Sequence, residues 1–454
     1  MSFVSINPAT GQRLATYRAH TRAQISSAVD RAHTTFLTWR RLTPIQRARP
    51  LRALARALMG SQATLAALLT AEVGKPITQS LREIEKCANV CEYYAEHGPE
   101  FLAPEHPVAA PENTHVEFAP VGIVLAIMPW NFPFWQVFRA AVPAFMAGNS
   151  VLLKHAANVS GCALAIEQIC ASAGLPRGLL QTVLIAPDAI GGLIADPRVR
   201  AITMTGSTAA GKKVAALAGA ALKPGVYELG GSDPAVVLAD ADIALAARVS
   251  AHSRLINSGQ SCVATKRFIV VRSVLKQFER ALVDAVAAHK VGDPTDPTTQ
   301  VGPVARVDRR EDLHRQVTHC VSRGARVLLG GSAAPGPGFF YTPTVLTNVK
   351  PGMAAYDEEV FGPVATIIPV RDEAQAIAVA NDTRYGLGAA IFTANRRRGR
   401  ALAAQLDCGL VFINAYARSD LHLPFGGTKE SGHGRELGIG GLRAFVNTKS
   451  VWVD

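Results

Sequence analysis

Apolar positions recur at three- and four-residue spacing over ISSAVDRAHTTFLTWR (25–40) and IQRARPLRALARALMGSQATLAALLTAEVG (45–74), the pattern of helices that lay one stripe on a core. Gly74-Lys75-Pro76 predicts the end of the second helix. A third helix is predicted through REIEKCANVCEYYAEHG (82–98), ending at Gly98-Pro99. The period then changes. Short β-rich runs, VGIVLAI (121–127), SVLLK (150–154), QTVLI (181–185) and AITMT (201–205), alternate with FRAAVPAFMAG, GCALAIEQICASAG and AAGKKVAALAGAA. Such alternation predicts a parallel sheet covered by helices on both faces. Ligands of such sheets bind beyond the carboxyl ends of the strands.

A second alternating series follows ELGG (228–231) and includes PAVVLA, RFIVV, ARVLLG, ATIIPV, GAAIFT and GLVFIN, which predicts a second α/β domain. The proline-punctuated FLAPEHPVAAPENTHVEFAP (101–120) and the tail FVNTKSVWVD fit neither series. Both read as strands outside the main domains, and strands of that kind are paired or protected, which points to a subunit interface.

The 454 residues are 48% hydrophobic and 18% charged, an ordinary globular composition with room for two or three domains. No apolar run is long enough to span a bilayer. The start, MSFVSINPATG, lacks a basic segment followed by an apolar one, so a cytoplasmic protein without a membrane partner is expected. The net charge of +12 raises the question of nucleic acid, but the basic residues are dispersed. Arg396-Arg397-Arg398, the densest run, carries no interleaved aromatics and reads as a solvated helix start. The seven cysteines form no CxxC pair, and Cys87 and Cys91 read as thiols on one helix face rather than as a metal site.

Chemistry concentrates at the predicted strand ends. In MTGSTAAGKK (204–213) a strand runs into Gly206-Ser207 and a helix leaves, so backbone N–H groups there could hold a diphosphate; a plain strand–helix turn accounts for it equally. Lys154 closes an apolar strand, where a lysine either snorkels or meets a ligand, and its place favours the ligand. Asn131, between Pro129 and Pro133, reads as a turn residue or as a preorganised oxyanion donor. Glu228 ends a strand before Gly230-Gly231, either to bond the turn or to sit desolvated in a cleft as a base. Cys262, in NSGQSCVATK, stands in a polar loop ahead of RFIVV.

Taken together, these pieces resemble the aldehyde dehydrogenase superfamily, from NPATG at the start to the final strand. PWNFP, ELGGSDP, NSGQSC, EEVFGP and PFGGTKESGHGRE all stand in the family's order. LLKH, ELGGSDP and FWQVFRAAVP bring the chain nearest to the short bacterial NAD-preferring succinate-semialdehyde dehydrogenases. The resemblance implies an α/β fold with a Rossmann-type cofactor domain (1–101 and 121–228), a catalytic domain (229–440) and oligomerisation strands (102–120 and 441–454). It implies a homodimer or homotetramer.

On the same resemblance, Cys262 is the nucleophile, Asn131 with the Cys262 N–H holds the oxyanion, and Glu228 activates the hydrolytic water. Lys154 meets the adenine ribose, Gly206 and Ser207 the diphosphate, and Glu359 and Phe361 the nicotinamide ribose and its surroundings; Trp130 lines the cofactor channel. Glu436 would relay protons near the base. Arg139 and Ser419 match anchors for a substrate carboxylate, whereas a further arginine of some relatives is Ile256 here. Ala157 stands where NAD-specific members often carry a glutamate that repels a 2′-phosphate, so NAD or NADP is expected, with a lean to NAD from the subfamily resemblance. No metal is expected.

The expected reaction is NAD(P)-dependent oxidation of an aldehyde, foremost succinate semialdehyde. Glutarate semialdehyde and uncharged aldehydes are competing substrates. A CoA-acylating enzyme would need no water-activating carboxylate, and a non-catalytic protein on this fold would have no use for Cys262, Glu228 and Asn131 together.

Overall fold

The computed structural model describes residues 1–453. Two open sheets organise it. The first has the strand order Gly432–His433, Gly225–Glu228, Val199–Thr205, Ile123–Met128, Ser150–His155, Leu180–Thr182. Its neighbours run parallel except at the short edge strand Gly432–His433, which pairs antiparallel with Gly225–Glu228. The second sheet runs Arg326–Leu329, Thr344–Thr347, Val364–Val370, Arg267–Val271, Pro234–Val237, Gly388–Phe392, Leu410–Ile413, and only its first strand is antiparallel. Both series are apolar on both faces because helices cover both sides: every residue of Ile123–Met128, Arg267–Val271 and Gly388–Phe392 is buried. The strands predicted from the apolar runs are present, although the ladder at QTVLI is confined to Leu180–Thr182.

The helical expectations need two corrections. The predicted helix over 45–74 is two helices, Pro44–Gly60 and Gln62–Val73, broken at Ser61. The helix expected to stop at Gly98-Pro99 continues as Ile77–Phe101. Gly98 serves packing rather than termination, since a Cβ there would lie 2.4 Å from Met146 Cγ. Thr21 and Thr43 open their helices with reciprocal side-chain caps to Gln24 and Gln46. The sequence pattern gave no sign of the N-terminal hairpin Ser2–Ile6 with Arg13–Arg18, whose alternation is only partly buried.

The two outlying segments pair with each other. Thr114–Pro120 runs antiparallel to Val446–Trp452, from Val446 opposite Pro120 to Trp452 opposite Thr114. One buried side chain fastens this ribbon to the first sheet. Asn149 Oδ1 accepts from Val121 N (2.8 Å) and Gly122 N (3.0 Å), while its Nδ2 donates to Phe445 O (2.7 Å). No described helix is long and apolar enough to cross a membrane, and no described cluster of His, Cys, Asp or Glu could hold a metal. Cys87 and Cys91 are buried thiols on one helix.

Asn149→Ala strands two backbone donors and one acceptor in the interior, and should cost about 2–4 kcal/mol. A lower urea midpoint checks it; an unshifted midpoint would show that the amide does not fasten the ribbon.

Candidate active site

Each polar residue singled out in the first sheet lies at a strand's carboxyl end. Met128 leads into the Pro129–Pro133 loop, Lys154 is next to last in Ser150–His155, Thr205 leads to Gly206-Ser207, and Glu228 is the final residue of Gly225–Glu228. The loop carrying Asn131 is braced from three sides. His155, its ring held neutral by burial with a pKa of about 4, donates from Nε2 to Pro133 O (2.9 Å) and accepts at Nδ1 from Ala156 N (2.8 Å). Glu83 Oε1 accepts from Phe134 N (3.0 Å) and Trp135 N (3.1 Å), at the start of the helix Trp135–Met146. Glu83 is in turn paired with the buried Lys75, whose ammonium lies 3.7 Å from the centre of the Phe132 ring. None of these braces was foreseen, because each joins residues distant along the chain.

Within this frame the Asn131 amide has one orientation. Its Oδ1 accepts from Gln136 Nε2 (3.0 Å), and its Nδ2 donates to Gln260 O (2.9 Å). The amide nitrogen has a second hydrogen, which meets no acceptor among the described residues.

The loop before Cys262 is bent by two non-glycine residues in the left-handed region, Asn257 (φ 51°) and Ser258 (φ 53°). Each such residue costs about 1–2 kcal/mol, so the bend requires holding. Asn257 Nδ2 donates to Asn131 O (2.6 Å), Asn257 N donates to Gln79 Oε1 (2.8 Å), and Ser258 Oγ both donates to Gly302 O (2.9 Å) and accepts from Gly302 N (3.0 Å). Arg254 donates to Thr265 O and Gly259 O, and Lys266 to Ser261 O (2.9 Å) and Cys262 O (2.6 Å). Both cations are fully buried and serve the loop's carbonyls. Cys262 is half-buried and lines a cavity of about 460 Å³. Burial pushes its thiol pKa up to about 12, against the pull of Lys266 and Arg139.

Glu228 is buried, and neither carboxyl oxygen has a hydrogen-bond partner among the described residues. Burial, reinforced by the nearby Glu436, holds its pKa well above the ordinary carboxylate range; Arg139 and Arg435 oppose this. Glu436 pairs with Arg139 Nε and accepts from Thr203 Oγ1 (3.4 Å). Arg139 also donates from Nη2 to Thr205 Oγ1 (3.3 Å) and stacks over Phe425 at 4.7 Å. The expected substrate anchor therefore reaches the cavity with its guanidinium already engaged by Glu436.

The residues expected at a dinucleotide fit one. Lys154 is buried, its ammonium meets no partner among the described residues, and desolvation lowers its pKa. Ala157 is exposed and brings no carboxylate to that end. Ser207 caps the helix Thr208–Ala220 by accepting from Ala210 N (3.4 Å). The two glycines after Glu228 allow close approach: a Cβ at Gly230 would lie 2.6 Å from Glu359 Oε2, and one at Gly231 would lie 2.7 Å from Cys262 O. Glu359 Oε1 accepts from Gly231 N (3.0 Å) and lies 3.7 Å from Lys266 Nζ. Trp130 and Phe361 pack edge to face, with ring centres 5.7 Å apart.

The same cavity is lined by Lys86, a residue that no motif in the sequence marks. Gln79, Arg82, Glu83 and Lys86 line the cavity from one face of Ile77–Phe101. Lys86 Nζ donates to Ser419 Oγ (2.6 Å) and Ser419 O (3.3 Å) and lies 4.1 Å from the centre of the Trp135 ring. Burial and the neighbouring Arg139 lower its pKa to about 8. Ile256 adds an apolar wall, whereas Arg254 is turned into the loop. The only signal in the sequence was polar residues at the i, i+3, i+4, i+7 spacing of a buried stripe.

The aldehyde dehydrogenase family profile matches residues 1–451. The chain is 47% identical over 451 residues to the succinate semialdehyde dehydrogenase (NAD(P)+) Sad of Escherichia coli, covering 99% of this chain and 98% of that one. It is 46% identical to the probable succinate-semialdehyde dehydrogenase (NADP+) of Synechocystis, with both chains covered in full at 100%. The crystal structure of succinic semialdehyde dehydrogenase from Streptococcus pyogenes in complex with NADP+ superposes with a TM-score of 0.96 at 35% identity, over 99% of each chain. A half-buried thiol, a preset amide, an unpaired carboxyl and a lysine at a strand tip are thus joined by a full-length match, and the chain belongs to the aldehyde dehydrogenase family.

Proposed function

We propose that the chain oxidises a short aldehyde carrying a carboxylate, with succinate semialdehyde as the leading substrate, to the corresponding acid with NAD(P). The observation that carries this reading is the cavity's charge. Arg82, Lys86, Arg139 and Arg418 line it against a single carboxyl, Glu83, which is spent on Lys75 and on a helix start. The names of the relatives agree with this choice.

In the proposed chemistry the Cys262 thiolate adds to the aldehyde carbon. The free Asn131 N–H and the Cys262 backbone N–H receive the oxyanion, because Gln136 and Lys266 fix the two donors around it. The bound nicotinamide supplies the hydride acceptor, and Lys154, Ser207 and Glu359 are the residues that would hold the dinucleotide. The acyl group remains on Sγ as a thioester. Glu228 takes a proton from water as the water attacks that carbon, releasing acid and thiolate. Gly426 leaves room for Glu228, since a Cβ there would lie 2.7 Å from Oε1.

For the cofactor, the lean to NAD finds no support. The relatives are named for NADP or for NAD(P), and an unpartnered Lys154 beside Ala157 leaves a 2′-phosphate a cation to bind and no carboxylate to oppose it. We read NADP as used at least as well as NAD. The paired outer strands Thr114–Pro120 and Val446–Trp452 support the homo-oligomer reading.

Cys262→Ala should abolish aldehyde-dependent NAD(P)H formation in a folded protein. Glu228→Gln should keep a burst of reduced cofactor while steady turnover falls about 10²-fold or more; a lost burst would place Glu228 before hydrolysis. Because both acids have raised pKa values, their reactive ionised forms gain population as pH rises. Iodoacetamide labelling of Cys262 in the cofactor-free protein, followed by peptide mass spectrometry, should therefore accelerate steadily from pH 7 to about 9, and a plateau near neutrality contradicts this. Ala157→Glu should cut kcat/KM for NADP about tenfold or more relative to NAD, by setting a carboxylate against the phosphate; an unmoved ratio would remove residue 157 from cofactor choice.

A further inference from the structure

Four cationic side chains line the cavity, and their commitments differ. Arg139 is engaged by Glu436 and Thr205. Arg82 and Arg418 are exposed, where an ion pair with a small anion gains little in water. Lys86 is half-buried and has no carboxylate bonded to it. Its ammonium has three donors; two of them go to Ser419, one to the hydroxyl and one to the carbonyl. The Trp135 ring flanks it at 4.1 Å, so a charge held there is partly withdrawn from water and is fixed in direction.

We propose that Lys86 is the specificity-determining cation that receives the far carboxylate of the substrate, with Ser419 as its positioning partner. This deepens the semialdehyde reading and rests on it. Three features support the assignment. Lys86, Ser419 and Cys262 line one cavity, so a single short molecule can meet the thiol with one end and the ammonium with the other. Ile256, Trp135 and Phe425 line it too and offer apolar surface to the methylenes. The bond from Lys86 to Ser419 joins the helix Ile77–Phe101 to the loop after Asn414, so the ammonium is in place before substrate arrives. The arginine lacking at position 256 is thereby replaced by a lysine from a different element.

The test compares kcat/KM for succinate semialdehyde and for butanal in the wild type, Lys86→Met, Lys86→Arg and Ser419→Ala, with inhibition by succinate as an independent binding readout. Lys86→Met should lower the semialdehyde-to-butanal ratio about 30- to 100-fold, mainly through KM, and weaken succinate inhibition to a similar extent. Lys86→Arg should restore much of the ratio, and Ser419→Ala should give a smaller loss of the same kind. If the wild type prefers the semialdehyde and Lys86→Met retains that preference, the assignment of Lys86 is overturned while the semialdehyde reading stands. An equal fall for both aldehydes, with succinate inhibition unmoved, shows a structural role and also overturns it. A wild type with no preference for the semialdehyde overturns the substrate reading and the Lys86 assignment together.

Discussion

One buried guanidinium acts on two carboxyl groups and is bonded to one of them, and much of the site follows from that choice. Arg139 gives its Nε to Glu436 and leaves Glu228 without a hydrogen-bonded partner. In a desolvated pocket two carboxylates beside one cation cannot both be charged cheaply. Pairing one ionised group and leaving the other protonated meets that constraint, and Glu228 is the one with no donor to keep it charged. A carboxyl group held that way is a poor base at rest and a strong one once deprotonated, as the hydrolytic step requires. The threonines that steady the pair, Thr203 and Thr205, belong to the strand that runs into Gly206-Ser207. The Arg139–Glu436 pair and the expected diphosphate end of the dinucleotide are therefore held by one strand.

Positioning elsewhere is done by backbone carbonyls and N–H groups held by buried charge. Glu83 closes the open end of Trp135–Met146 and Lys75 neutralises it. Arg254 and Lys266 spend full charges on the carbonyls of a loop whose bend includes two strained residues. Charges used this way are costly to bury and contribute little net stability. They do fix Cys262 and the donors proposed to receive the oxyanion in a single geometry. Gln136 and Arg139, one turn apart on the same helix, carry that order to Asn131 and Glu436.

The sequence exposed the parts of this site that sit where the fold must place them. Lys154, Ser207 and Glu228 were legible because a parallel sheet presents its strand tips to ligands, and the strands were visible as apolar runs. Cys262 and Asn131 were legible as chemistry only through the family resemblance, since a loop thiol and a proline-flanked amide have plain structural uses. What stayed hidden was anything set by distant pairing. The resemblance matched Arg139 to a substrate anchor, but its pairing with Glu436, far along the chain, could not be seen. Gly98-Pro99 read as a helix stop because the side chain that needs Gly98 belongs to Met146. Lys86 lies inside a helix, and only the distant Ser419 and Trp135 that meet it mark it out.

The cavity's charge bears on direction. Lys86, Arg82 and Arg418 line it without a bonded acid. Cys262 lines it too, but the cations that act most on its thiol are already committed, Lys266 to the carbonyls of the loop and Arg139 to Glu436. An aldehyde group is neutral and asks for no counter-ion, while a carboxylate is drawn to the cations without an acid, so in the proposed reading a semialdehyde is turned with its reactive carbon toward Cys262. Once hydrolysis has made a second carboxylate, that new charge finds no uncommitted cation beside the regenerated sulfur. The same asymmetry that orients the substrate then favours departure of the acid, so selectivity and turnover need not compete for binding energy.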